Sequence, residues 1–575
     1  MRAATPACYL VATVVALASA CGSPGPKPLE PGAGSGNAEP SQVQSLKRVT
    51  AVIRGSPFTL SHAINSAGAG SVPGVDELQE LIHAGLGGED DQRRIQPRLA
   101  TSLPSVENGQ WIVSPNGQMA TTWQLRSGVH WQDGTLFTAD DLLFTIRVAQ
   151  DKRVALSGGS AYGAIERVSA PDPHTFVVTW SRPYIRADRL LTVTAGSDIL
   201  PMPRHLLVAD YEADATMFPQ LSYWTHDFVG LGPFRLREFF EGSHLVLEAN
   251  DGYLLGRPKI DEIEVKFIPD PSTIAANLLS NAVELTLGGR FSLEWGVQVR
   301  DQWEEGRMEA PPATSWVALY PQLLNPSPPA LADLPFRQAL LHAIDREEMA
   351  DTIQAGLSPV AHAIVGRHDP EFGDVESSIV RYDHNVRAAA GLLEGLGYRK
   401  GGDGFYVDSA NRRSSIEIRT RQGDDLQEKT LFGVSGYWQR LGIGVDPVTF
   451  PPQRAPDREY RSTRPAFEVV RQPSGPDAVM RYHGAETPLP ENSFRGVNRT
   501  RYRSAQFDAM LDLYVSTIPR DERTRVLARI IHDMTSNLIV LGIYWAVDPT
   551  MIGHRLVNVS GTNPTWNAHQ WDVNR

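Results

Sequence analysis

Apolar residues along the chain follow two rhythms, and each predicts a different kind of element. Short β-branched runs bounded by turn residues predict strands at Val49–Ile53, Thr175–Thr179, His244–Leu247, Ile263–Phe267 and Ile539–Tyr544. Apolar positions at three- and four-residue spacing predict helices over Asp76–Ala84, Ala139–Ala149, Phe336–Ile353, Asn385–Gly395, Gln427–Leu441, Ala505–Tyr514 and Asp521–Met534. Start signals support several of them. Thr138 precedes Ala139-Asp140-Asp141, offering a side-chain acceptor and first-turn acids, and Ile518-Pro519-Arg520 precedes Asp521-Glu522. Strand and helix alternate in the second half, whereas the first half has a hairpin-like pattern around Gly109–Trp131. The expectation is a mixed α/β body with two unlike lobes. No period of 20–50 residues repeats, and no low-complexity block interrupts Arg48–Arg575, so a repeat or solenoid architecture is not expected.

The N-terminus has a different pattern. Arg2 is followed by the apolar run Tyr9–Ala18 and then Ser19-Ala20-Cys21-Gly22, the layout of an export signal. A run of that length rises about 15 Å as a helix, roughly half of a hydrocarbon core, so a permanent span is the weaker reading. Ala18-Ser19-Ala20 fits ordinary signal-peptide cleavage, while Leu17-Ala18-Ser19-Ala20-Cys21 resembles a bacterial lipobox whose preferred Leu sits one place early. The second reading makes Cys21 a lipidated residue and leaves no free exported thiol. The 26 residues from Gly22 to Lys47 include five Gly, five Pro and four Ser, the composition of a flexible tether reaching on the order of 25–30 Å.

Composition narrows the class. A chain of 575 residues with 41% hydrophobic and 21% charged residues has a sizeable core and room for several domains. A net charge of −12 gives no general support to a nucleic-acid partner. Two cysteines, Cys8 and Cys21, are too few for a disulfide framework or a cysteine-rich metal site. Metalloprotease, nucleophile-elbow, phosphate-loop and dinucleotide signatures are absent, and the 15 histidines are dispersed singly. Asp140-Asp141 is the one carboxylate pair that invites a catalytic reading. Adjacent residues on a helix diverge by about 100°, so first-turn capping is the better account. The sequence therefore predicts no enzyme, no cofactor and no metal centre.

One segment is highly specific. Trp123-Gln124-Leu125-Arg126-Ser127-Gly128-Val129-His130-Trp131-Gln132-Asp133-Gly134 runs on through Thr135-Leu136-Phe137-Thr138-Ala139-Asp140-Asp141-Leu142-Leu143-Phe144 as strand, turn, short strand, Asp-Gly turn and capped helix. It resembles the W-x-L-R-x-G-V-x-W-x-D-G-x-x-F-T-A-x-D-V-x-F signature of the extracytoplasmic solute-binding proteins of peptide and nickel ABC importers, family 5. Other landmarks of that family occur in order. Ile95–Ala100 resembles its V-x-P-x-L-A segment, and Val229–Phe234 its G-T-G-P-F segment with Leu231 for Thr. Asn250–Tyr253 with Gly256–Asp261, and Phe336–Ala339 with Ala343–Arg346, resemble two further segments.

The resemblance implies a two-lobed periplasmic-binding-protein-like α/β fold (class II, type 2) with a subdomain inserted in lobe I. The implied partition is a signal peptide at 1–20, a lipidated Cys and linker at 21–47, lobe I at 48–97, 225–311 and 546–575, the insertion at 98–224, and lobe II at 312–545. The lobes would be joined by crossings near Pro312–Tyr320 and Ile539–Val547. It also implies a lipid-anchored monomer at the extracytoplasmic face that captures a peptide or other small solute for an ABC permease and its ATPase subunits. A transporter-independent sensor or cell-envelope accessory on the same fold is the alternative.

Candidate ligand residues follow from the same resemblance. Peptide-binding members carry a G-W-x-x-D segment whose acid meets the ligand ammonium, and the corresponding stretch here is Val469–Asp477. It offers Arg471, Gln472 and Asp477, the last matching either that acid or a later turn. Arg471, with Arg421 after the run Ser415–Thr420, would meet an anionic part of the ligand, or both arginines would pair with protein acids. Ser56, Pro57 and Phe58 would line the cleft after the first strand, and Trp316 would either stack on a ligand or sit in the core.

Overall fold

The computed structural model describes residues 46–574 apart from 69–71, 115–117, 155, 157–160, 194–198, 290, 312–314 and 455–456. Cys8, Cys21, the export signal and most of the tether lie outside the described residues. Residues 46–575 form one compact unit.

Two sheets organise that unit. The first has seven strands in the order Gly306–Glu309, Thr550–Gly553, Leu285–Thr286, Arg48–Ile53, Glu262–Phe267, His244–Ala249, Phe234–Phe240. Its centre is parallel, with Arg48–Ile53 flanked by Glu262–Phe267 and Leu285–Thr286. The second has five strands in the order Gly444–Phe450, Ser415–Arg421, Phe467–Pro473, Ser315–Pro321, Leu541–Ala546, parallel in its first three and antiparallel beyond. A separate four-stranded antiparallel sheet contains Trp111–Val113, Met119–Gln124, Thr175–Trp180 and Ile165–Asp172. This sheet includes the hairpin expected around Gly109–Trp131, and it shares one continuous core with lobe I.

In lobe II, period-two alternation sends Val317, Leu319, Phe467 and Val469 to the face covered by helix Asp425–Leu441. Trp316, Ala318, Tyr320 and Val470 face the opposite way, toward helices Ala505–Ser516 and Arg520–Ser536. The lobe is therefore a sheet buried on both faces, which accounts for its continuous apolar runs. Helix Asp425–Leu441 starts where the Asp424 carboxylate accepts the Gln427 N–H (3.2 Å) and stops at Gly442, whose φ of 107° suits glycine.

The crossings are shorter than expected. Most of Pro312–Tyr320 and Ile539–Val547 is strand inside the lobe II sheet, because Ser315–Pro321 and Leu541–Ala546 pair with each other. The chain passes between sheets after Glu309 and again over Val547–Pro549. The single helix expected over Phe336–Ile353 is two, Leu334–His342 and Arg346–Ile353. Asp345 caps the second by accepting the Glu348 N–H (2.9 Å), and Arg346 turns inward to donate to Gly542 O (2.9 Å).

Candidate functional site

The parallel strands of both sheets end at the same place. Arg54 follows Arg48–Ile53, Pro269 and Pro271 follow Glu262–Phe267, and Phe291 follows Leu285–Thr286. From lobe II, Arg421 ends one strand and Arg471 lies near the end of another. Between them lies a cavity of about 1130 Å³, a little above the usual range of about 300–1,000 Å³ for small-molecule sites. A crevice outside the carboxyl ends of parallel strands is where open α/β folds bind ligands.

Helix Asp425–Leu441 forms the lobe II wall through Lys429, Phe432, Tyr437 and Arg440. Phe432 is 57% exposed, an apolar side chain held at the cavity rather than in the core. The Arg440 guanidinium lies over the Tyr437 ring at 4.3 Å, and the Tyr437 hydroxyl donates to Glu348. Burial together with that carboxylate pushes the Tyr437 phenol above its ordinary range. Asp424 and Asp425 stand at the helix start, where acids complement the macrodipole.

Arg471 is committed to the protein. Its Nε donates to Ser315 Oγ (2.9 Å), its Nη2 to the Asp548 carboxylate, and its backbone N–H to Gln427 Oε1 (3.2 Å). Burial lowers the guanidinium, but the Asp548 charge, the hydrogen bond to it and the more distant Asp424 charge together outweigh this and hold it above its ordinary value. Asp548 lies on the return crossing, so the pair braces lobe II against the segment leading back to lobe I. Arg421 differs: it is exposed in the cleft, and its side chain makes no ion pair or hydrogen bond among the described residues.

The other expected ligand residues lie elsewhere. Trp316 is 1% exposed and stacks against Trp545 in the lobe II core at 6.3 Å between centroids. A Cβ on Gly542 would come within 2.7 Å of its ring and 2.3 Å of Ala361 O, so the chain must be glycine there. Ser56 and Phe58 are exposed and Pro57 is buried, and none of the three lines the cavity, which Arg54 reaches instead. Gln472 points to the opposite face of its strand from Arg471 and lines a different pocket. Asp477 pairs with Arg186 (2.7 Å) and Arg189 (3.8 Å), on the segment after strand Thr175–Trp180, tying that segment to lobe II. Ile185 packs beside that pair against the lobe II core.

A further tie spans the cleft, from Lys429 on the lobe II wall to Glu294 of lobe I (2.5 Å). Neither Lys429 nor Asp548 is signalled by its local sequence. Their partners are 135 and 77 residues away, a separation that no short motif spans. Asp424 and Asp425, immediately before a predicted helix, were within reach of the capping rules.

The specific motif of the first half proves to be a structural joint. Trp123 and Trp131 are buried, and the Asp141 carboxylate accepts from Thr138 N–H (3.0 Å), Trp131 Nε1–H (3.3 Å) and Arg204 N–H (2.9 Å). Gln132 accepts from Gly230 N–H (3.0 Å) and donates to Phe234 O (2.7 Å), joining this motif to the Val229–Phe234 segment. Among the described residues no helix is long and apolar enough to cross a membrane.

Comparison with known proteins agrees with this architecture. The oligopeptide-binding protein AppA of Bacillus subtilis is 25% identical over 378 residues, 64% of this chain and 64% of that protein. Protein XP55 of Streptomyces lividans is 25% identical over 372 residues, 63% of this chain and 61% of the relative. The matched stretches thus span somewhat under two thirds of these relatives. The solved structure of B. subtilis AppA with a nonapeptide superposes with a TM-score of 0.72 at 18% identity, over 92% of this chain and all of that one. That of NikZ from Campylobacter jejuni with Ni(L-His) gives 0.73 at 20%, over 91% and 99%. The fold is theirs, two α/β lobes about a cleft. Residues 94–501 match the model of the bacterial extracellular solute-binding proteins, family 5, and the chain belongs to that family of binding proteins.

Proposed function

We propose that the protein is the solute-binding component of an ABC importer, capturing a peptide or peptide-like solute between its lobes and delivering it to a permease driven by ATPase subunits. The observation that carries this reading is the cavity of about 1130 Å³ at the carboxyl ends of both sheets, lined by charges of both signs. AppA holding a nonapeptide and NikZ holding a histidine chelate support a ligand of amino-acid chemistry. On this reading Arg421, whose side chain has no hydrogen-bond or ion-pair partner among the described residues, takes the anionic end of a zwitterionic solute, and Asp424 and Asp425 stand nearby for a cationic one. Arg471 acts indirectly, by fixing the crossing segment.

Capture needs no bond-breaking chemistry. The Lys429–Glu294 tie across the cleft is an exposed ion pair, with Lys429 48% and Glu294 69% exposed, and such pairs contribute about 0–1 kcal/mol. Closure is then decided by the solute's own contacts with both lobes rather than by the protein alone. The partition into lobe I, insertion and lobe II given by the sequence is part of this reading. So are lipidation of Cys21, a tether to the extracytoplasmic face of the membrane, and a monomeric body.

Mass spectrometry of small molecules released from protein purified from its native host tests the reading. The solute returned to stripped protein should stabilise it saturably, by about 2.7 kcal/mol at 100 times Kd, and leave unaltered. Turnover of the solute, or the absence of any released molecule that stabilises the protein, would overturn it. For the anchor, the mature protein should enter the detergent phase of a detergent partition and Cys21→Ser should leave it.

A further inference from the structure

Lobe II has a second concavity, on the face of its sheet turned away from helix Asp425–Leu441. Strand alternation sends Glu468 and Gln472 to that face, into a pocket of about 130 Å³. Five arginines line it: Arg458, Arg461, Arg464, Arg481 and Arg499. They come from helix Arg458–Ser462, the turn before strand Phe467–Pro473, the 3-10 turn Pro476–Tyr482 and the loop beyond it. Glu468 is the one carboxylate in the lining.

Glu468 does not balance this charge. Arg499 donates to both of its oxygens (3.1 and 3.3 Å), with Arg461 at 3.6 Å and Arg464 at 3.9 Å. Burial works against its ionisation, but the surrounding guanidinium groups win and hold the carboxyl down to about 2. It is therefore a single negative charge among five positive ones. Arg464 carries the strain of that excess. Its side chain is 1% exposed, its Nη2 donates to Tyr320 O (2.9 Å) and Arg499 O (2.6 Å), and its buried Nε finds no partner among the described residues. Burial and the like charges of Arg419, Arg499 and Arg461 push it down to about 9, despite Glu468. At the mouth, Arg458 is exposed and Arg481 half-buried, and neither side chain makes an ion pair or hydrogen bond among the described residues.

We propose that this pocket is an anion-binding site, separate from the inter-lobe cleft, which takes a free oxyanion of phosphate or sulfate size. Guanidinium forks converging from four chain segments suit the tetrahedral oxygens of such an ion, which can accept several charge-assisted bonds at once. The small volume admits an ion of a few heavy atoms and excludes a peptide. A bound oxyanion bridges Arg458 and Arg481 to the buried arginines and braces the 3-10 turn against the helix.

Isothermal titration and thermal unfolding with inorganic phosphate test the site, with chloride holding the ionic strength constant. Phosphate should bind the wild-type protein one to one and raise its Tm saturably. The double variant Arg458→Gln/Arg481→Gln should unfold at the wild-type temperature without phosphate and bind phosphate at least tenfold more weakly. Its affinity for the cleft solute should be unchanged. Phosphate that acts no differently from chloride at equal ionic strength, or a double variant that binds it as the wild type does, would overturn the proposal.

Discussion

Arg421 and Arg471 look alike in the sequence, each closing an apolar run, yet they do different work. Arg471 is bound to Asp548 and Ser315 at the base of the cleft, whereas Arg421 stands in the cavity without a partner among the described residues. Arg421→Ala should therefore weaken solute binding about 10- to 100-fold, the loss of one charge-assisted hydrogen bond, and leave denaturant unfolding nearly unchanged. Arg471→Ala should do the reverse. It removes the charge-assisted hydrogen bond to the Asp548 carboxylate and the bond to Ser315 Oγ, and should cost about 1.5–3 kcal/mol. Equal effects of the two substitutions on both measurements would contradict this division. Sequence marked both arginines as notable; which one was free depended on Asp548, 77 residues away.

His83 shows a polar group settled by its surroundings. Its Nδ1 accepts the Leu231 N–H (3.2 Å), so its Nε2 carries the proton and donates to Pro201 O (2.7 Å). Burial pushes its pKa down to about 4. The folded value lies below the ordinary value of about 6.5, so the unfolded chain takes up the proton first. The stability held in the neutral ring is complete above pH 6.5 and is lost as the pH falls toward 4, up to about 3 kcal/mol for this one group. His368 and His569, also pushed down to about 4 by burial, act in the same direction. Urea unfolding between pH 7 and 4.5 should show the decline, with a shallower slope in His83→Gln.

At the scale of elements, the sequence was most legible where one element carries its own signals. Helix Ala139–Gln150 has its Thr138 cap and acidic first turn in place, and Asp141 serves as a structural acceptor rather than an acid catalyst. Asp141→Ala removes an acceptor from three N–H donors and should cost about 2–3 kcal/mol, read by denaturant unfolding; Asp140→Ala, on the exposed side of the same turn, should cost under about 1 kcal/mol. Equal costs would show that Asp141 does not knit the joint. Boundaries were less legible. Apolar spacing continues through Ala343-Ile344, so periodicity alone could not see that Asp345 restarts the helix so that Arg346 can reach Gly542 O across 196 residues. The strand at Ser315–Pro321 is buried along its whole length, and only the fold shows that Trp316 points away from the cleft.

For the whole molecule, the α/β class and the two unlike lobes could be read from periodicity, and the order of the motifs from resemblance. Contacts between lobes could not, because they join surfaces that meet only after each lobe has folded. Asp477 is the clearest case: expected at a ligand, it instead holds Arg186, on the segment after strand Thr175–Trp180, while Lys429 on the cavity wall holds Glu294. Both pairs are partly exposed and so individually weak, and each shifts a balance rather than locking it. Asp477→Ala and Lys429→Ala should each weaken solute binding by less than about tenfold, chiefly through faster release in stopped-flow displacement, with little change in the stability of the unliganded protein. Losses as large as that of Arg421→Ala would mean that these residues touch the solute.

On the proposed function, the lobes close on a solute held at the carboxyl ends of their strands. Small-angle X-ray scattering of protein stripped of its native solute, before and after that solute is returned, tests it most directly. The radius of gyration should fall on return of the solute, saturating at one molecule per chain and shifted to higher solute concentration in Arg421→Ala. A radius of gyration that stays the same while the solute binds, or a saturation point that Arg421→Ala leaves in place, would contradict it.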